Sequence, residues 1–104
     1  MANAHRGEIA AVIDGEERVL CLTLGALAEL EDRLVAGDLV GLSERFAAGR
    51  VSARDLTAIL GAGLRGGGNA ISDDDLARMR VEGGLQGAAE IAARLLRATF
   101  GEAA

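Results

Sequence analysis

The chain has 104 residues, a formal net charge of −5, and arginine as its only strong base, with no lysine. That length holds one core, because a second domain would leave neither half enough interior to bury. The acidic balance opposes binding to phosphate backbones, so no nucleic-acid partner is expected. No apolar stretch approaches the roughly 20 residues that span a bilayer. The start Met1 to Arg6 lacks the apolar block of a signal peptide, so no membrane partner is expected and the protein is placed in the cytoplasm where it is made.

Half of the residues are apolar, yet only Phe46 and Phe100 are aromatic. A core built largely of Leu and Ala buries less area per residue, at about 25 cal/mol per Å². A homo-oligomer or a client interface would add to that thin margin.

In chain order, Glu8 to Ile13 and Arg18 to Leu22 read as two β-strands around Asp14-Gly15-Glu16-Glu17, a tight hairpin. A four-residue loop would set Ile9 opposite Leu22 and Ala11 opposite Leu20, and a two-residue loop would change that register. Two isolated strands are marginal in water, so one face must lie against helices. Cys21 has no second cysteine to pair with and sits in a strand-like run, which predicts a buried, inert thiol.

Thr23 is placed to cap a first helix from about Leu24 to Val35, with Leu27, Leu30 and Leu34 on one stripe and Gly37 as its end. Asp38 can cap a second, short helix carrying Leu39, Leu42 and Phe46, closed by Gly49. Ser52-Ala53-Arg54-Asp55 has the spacing of a capping box before Leu56, Ile59, Leu60 and Leu64.

Gly66-Gly67-Gly68-Asn69 predicts a mobile surface connection that would tolerate an insertion. Ser72-Asp73-Asp74-Asp75 repeats the capping pattern ahead of Leu76 and Met79, with acids at the positive end of the helix dipole. After Gly83-Gly84, a last helix is expected from about Leu85 to Phe100. Its apolar arc carries Leu85, Ile91, Leu95, Leu96 and Phe100.

The expected fold class is therefore α+β and predominantly helical, an N-terminal β-hairpin followed by four or five short helices in a single domain over 1–104. Residues 5–23 form the hairpin, 24–65 three helices, 66–71 the glycine-rich loop and 72–101 the C-terminal helices.

No stretch carries catalytic chemistry. Gly61-Ala62-Gly63-Leu64-Arg65-Gly66 has the letters of a dinucleotide fingerprint, but it ends a helix instead of turning out of a strand into one. Close packing is the expected role of those glycines. Asp73, Asp74 and Asp75 are consecutive and point in different directions, which suits helix capping better than a metal. The single histidine, His5, has no second ligand near it. Ser43, Ser52 and Ser72 lack a base. No cofactor, metal or catalytic residue is expected. A helix-turn-helix DNA reader would need a basic second helix, where this one opens with three aspartates.

His5-Arg6-Gly7-Glu8 leading to the Asp14-Gly15 turn, then Leu22-Thr23-Leu24-Gly25-Ala26-Leu27-Ala28-Glu29-Leu30-Glu31, resembles the small tail proteins of gene transfer agents and related prophages. The stretch from Arg50 to Arg65 is similar to that family's central helix, and Glu82-Gly83-Gly84-Leu85 to the turn before its last one. The resemblance implies a non-enzymatic part in building a phage-like tail, either as an assembly chaperone or as a tail-tube component of the virion. A tube subunit is expected to be β-rich, so the helical pattern favours the chaperone. The partner would then be the tail tape-measure protein, a long amphipathic chain whose apolar stripe small helical subunits could cover, or another tail protein. An unrelated small helical interaction domain is the remaining alternative. Leu95, Leu96 and Phe100 on the Ala-rich last helix are the candidate partner-binding residues; the competing reading makes that helix only core.

Overall fold

Asp14 and Gly15 both lie in the left-handed region, with φ of 55° and 80°. That pair of conformations is the two-residue turn whose twist matches a right-handed hairpin. Of the two possible registers the chain therefore takes that of the short loop. Glu16 and Glu17 belong to the second strand, and Ile9 stands opposite Leu20, Ala11 opposite Arg18 and Ile13 opposite Glu16. A computed structural model describes residues 3, 6–33, 39–50 and 52–101. Strands β1 (Glu8–Ile13) and β2 (Glu16–Cys21) are followed, among the described residues, by α1 (Leu24–Arg33), α2 (Leu39–Ala47), α3 (Ala53–Gly66), α4 (Asp73–Ala77) and α5 (Gly84–Phe100). His5, the expected end of the first helix from Leu34 to Gly37, and the Asp38 cap fall outside the described residues. The fold is α+β and mainly helical, as the patterns imply.

Alternation along the strands sends Ile9, Ala11, Ile13 and Leu20 to one face, and all four are buried. Cys21 is on the other face, so its thiol is half-buried instead of buried, with Sγ 3.8 Å from the Arg6 carbonyl.

Thr23 Oγ1 accepts from the Ala26 N–H at 3.1 Å and starts α1. Gly49, at φ 76°, closes α2 by the expected left-handed stop. The Arg50 and Gly49 N–H groups return to the Arg45 and Phe46 carbonyls. Leu42 anchors α2 in the core.

Ser52 caps α3, accepting from the Asp55 N–H at 3.0 Å. This helix is the centre of the molecule, touching α1, β2, α4 and α5. Its residues from Ala58 to Leu64 are buried all round, the mark of a helix enclosed by neighbours. Ser52→Ala should lower stability by about 1 kcal/mol, the usual loss for an N-cap oxygen. A denaturation midpoint equal to wild type would show that this bond does not hold the helix start.

The glycine run departs from expectation. Helix α3 continues through Gly66, and a Cβ on Gly66 or Gly67 would strike the backbone carbonyls of Cys21 or Val19 in β2. Asn69 Nδ2 donates to the Val19 carbonyl at 2.8 Å and to the Leu64 carbonyl at 3.0 Å. Only Gly68, at φ 96°, supplies conformational freedom. There the Asn69 and Gly68 N–H groups bond back to Leu64 and Arg65. The connection is a packed helix end against the sheet edge, not a mobile loop, because missing side chains let two backbones touch.

Ser72 and Asp75 form a reciprocal capping box at α4. The Ser72 backbone N–H, and after it the Ser72 hydroxyl, hold the Asp75 carboxyl below the ordinary aspartate range. The stabilisation is complete above that range and is lost as pH falls through the depressed value, below roughly pH 4. Acid titration should therefore release the Ser72 amide, seen as a chemical-shift transition that Asp75→Asn removes. A Ser72 amide indifferent to that titration would count against the box.

Helix α4 ends at Ala77, and the chain then runs beside β1. The Asp14 N–H donates to the Arg80 carbonyl at 2.7 Å, and Ile13 bridges to Val81. Helix α5 closes the core with Ile91, Leu95 and Leu96.

Candidate functional site

The five residues of the α5 arc do not share a surface. Leu95 and Leu96 are buried against α3 and the hairpin, and Leu95 Cδ2 lies where a side chain on Gly63 would stand. Phe100 is 51 % exposed and Leu85 67 % exposed. At 1.5 Å of rise per residue, about 22 Å of helix separates these two. Of the three candidate partner-binding residues, only Phe100 presents its side chain to the outside. The core takes the other two because the hairpin's inner face and the glycine-lined side of α3 need large residues opposite them.

Leu85 stands at the rim of an open apolar groove of about 160 Å³. Its walls are Leu56 and Leu60 of α3, Leu76 of α4, Val81, and Leu85 and Ala88 of α5. The groove exists because α4 is only five residues long and leaves the first turns of α3 and α5 uncovered. The one hydroxyl in its lining, that of Thr57, donates to the Ala53 carbonyl at 2.9 Å, and the other lining side chains are apolar, so the groove suits an apolar side chain. Leu56 and Leu60 were legible as part of the periodic stripe of this helix. That α4 would stop short of covering it was not.

The charged groups nearest this region hold the fold together. Asp73 pairs with Arg33 of α1 and with Arg65 of α3, the second at 3.1 Å. Arg65 also pairs with Glu29 and donates to the Ile71 carbonyl at 2.8 Å. This cluster joins α1, α3 and α4, and only the Glu29–Arg33 spacing of four signalled any of it. Each glycine of the fingerprint-like stretch meets a neighbour: Gly61 the Asp73 carboxylate, Gly63 Leu95 and Leu20, Gly66 the Cys21 carbonyl. Among the described residues no group of His, Cys, Asp or Glu is placed to hold a metal ion, and no helix is long and apolar enough to cross a membrane.

Both edges of the hairpin are partly occupied. On the β1 side Arg94 Nη2 donates to the Ala10 carbonyl at 3.0 Å, and residues 80 and 81 lie along Ile13 and Asp14. On the β2 side the end of α3 and Asn69 cover Val19 and Cys21. Covered edges are how proteins avoid unwanted strand pairing.

Comparison with known proteins bears on what this surface meets. No curated protein and no solved structure matches the chain. A family model described as phage tail tube protein, GTA-gp10, matches residues 6–102. With the match running through the hairpin and every helix, the chain belongs to the GTA-gp10 phage tail tube protein family.

Proposed function

We propose that this member of the family is a non-enzymatic tail assembly chaperone that binds the tape-measure protein during particle assembly. The observation that carries the reading is the architecture: among the described residues, five helices around one short hairpin whose two edges are already partly occupied. A tube subunit has to contribute sheet to a ring, and this hairpin offers little free edge for it. A helical body with an open apolar groove instead suits a client that presents an amphipathic helix. The contact on the C-terminal helix is assigned to Phe100, with Leu85 and its groove at the other end. Leu95 and Leu96 act behind the surface by fixing the helix. The bacterial cytoplasm during assembly is the corresponding location.

The family's description as a tail tube protein favours the second reading, a structural subunit of the finished tail. Co-expression with the neighbouring tape-measure gene separates the two. The wild-type protein should raise the client's solubility, and Phe100→Glu or Leu85→Glu should abolish that effect while leaving the domain folded. A client that stays insoluble, with the protein recovered stoichiometrically from purified tails, would establish the structural role.

A further inference from the structure

We propose that residues 70–82 form a strap that opens as a unit and, when closed, keeps the outer edge of β1 from pairing with the same edge of a second copy. The inference concerns the free protein and stands whichever tail protein is its partner. The strap lies between Gly68, at φ 96°, and Gly83 and Gly84, at 85° and 62°. Its only helix is α4, a length that does not sustain itself in water. Two buried side chains, Ile71 and Leu76, hold it to the core, and Met79 and Val81 pack half-buried against the same core. The rest of its attachment is polar: Asp73 to Arg33 and Arg65, Arg65 to the Ile71 carbonyl, and the Arg80 carbonyl to the Asp14 N–H. A short segment with only two buried side chains and bounded by turns is the kind that opens below the global unfolding free energy.

Beneath it lies the edge. In the hairpin register Ile9, Ala11 and Ile13 exchange bonds with β2, so Ala10 and Val12 direct their backbone groups outward. Arg94 occupies the Ala10 carbonyl, while the stretch from Val12 to Asp14 is shielded by residues 80–82 through the Val81 bridge. The Val12 side chain beside it is 44 % exposed. With the strap away, this edge would present free N–H and C=O groups next to an apolar side chain, a template for another strand. An identical edge on a second copy carries the same alternation of donors and acceptors and can pair antiparallel with it.

Residue-resolved amide exchange on the full chain tests the opening. The amides of Leu76, Arg78, Met79 and Asp14 should exchange together and faster than those of Leu64 and Leu95. The Asp14 amide is decisive, since it sits in the hairpin but its acceptor is in the strap. Arg33→Gln, at an exposed residue on α1, should speed that set roughly tenfold and leave α5 unchanged. High salt on the wild type should act in the same direction without any substitution. Sedimentation should then show Arg33→Gln self-associating where the wild type is monomeric. Adding Val12→Pro, which removes an outward N–H but no bond to β2, should restore the monomer. Uniform acceleration in every element, or an Asp14 amide as protected as α5, would overturn the strap. Selective opening with no association would overturn its role as guard of the edge.

Discussion

Gly67→Ala is expected to lower stability by about 2–3 kcal/mol, read as a shift in the chemical denaturation midpoint with an unchanged slope. At φ −83° the backbone of Gly67 is ordinary, so alanine introduces no conformational strain there. The whole penalty comes from one methyl group driven into the Val19 carbonyl. That carbonyl cannot retreat cheaply, because Asn69 bonds to it and β1 holds the strand from the other side. Gly68→Ala is the control: space around Gly68 is open, but its left-handed φ should cost about 1–2 kcal/mol through the backbone alone. In a mobile connection at ordinary φ, Gly→Ala would be neutral or gain about 0.4–1 kcal/mol. The sign of the Gly67 effect therefore decides whether the end of α3 is packed against β2. A variant as stable as wild type would separate the two elements.

The same glycines show where sequence reading succeeds and where it stops. Caps and turns are local: Thr23, Ser52 and Ser72 each cap a helix through a group three residues on, although only Ser72 has the reciprocal bond of a full box, and Asp14-Gly15 turns the hairpin by the shorter of the two loops its letters allowed. A glycine run has two physical uses, freedom and absence of bulk. Only the first can be seen without knowing what lies opposite. Val19 and Cys21 are more than forty positions from Gly66 and Gly67 in the chain, and nothing local brings them together. Arg65 reaches Glu29 across a separation of 36 residues, equally invisible to a periodicity argument. The arc on α5 was legible as apolar, but pattern alone could not say that Leu95 and Leu96 face inward while Leu85 and Phe100 are left outside.

That division of α5 yields the other large effect. Leu95→Ala should cost about 3–4 kcal/mol, because Leu95 has no solvent exposure and fills the space that Gly63 leaves open. Thermal and chemical denaturation should agree on the loss, and no change in cofactor or salt should recover it. Phe100→Ala should cost well under 1 kcal/mol in the free protein, since half of the ring is already in water. In a client-solubility assay the order should invert for the folded variants. Phe100→Ala should lose client protection at near-normal stability, whereas a destabilised Leu95→Ala should keep it wherever it remains folded. Equal stability losses at the two positions would mean that Phe100 belongs to the core, and the partner contact would have to be sought elsewhere.

The hairpin leaves the ribosome before the helices that follow it, yet its inner face is closed by α3 and α5. Leu20 meets Gly63 of α3, and Gly63 meets Leu95 of α5. Two strands alone are marginal in water, and contacts this distant in sequence form only after their loops have closed. A nascent chain that stops before α5 thus lacks the helix that packs against β1, the strand that carries Ile9 and Ile13. The arrival of α5, more than the formation of the strands themselves, sets the moment at which the hairpin's inner face is closed.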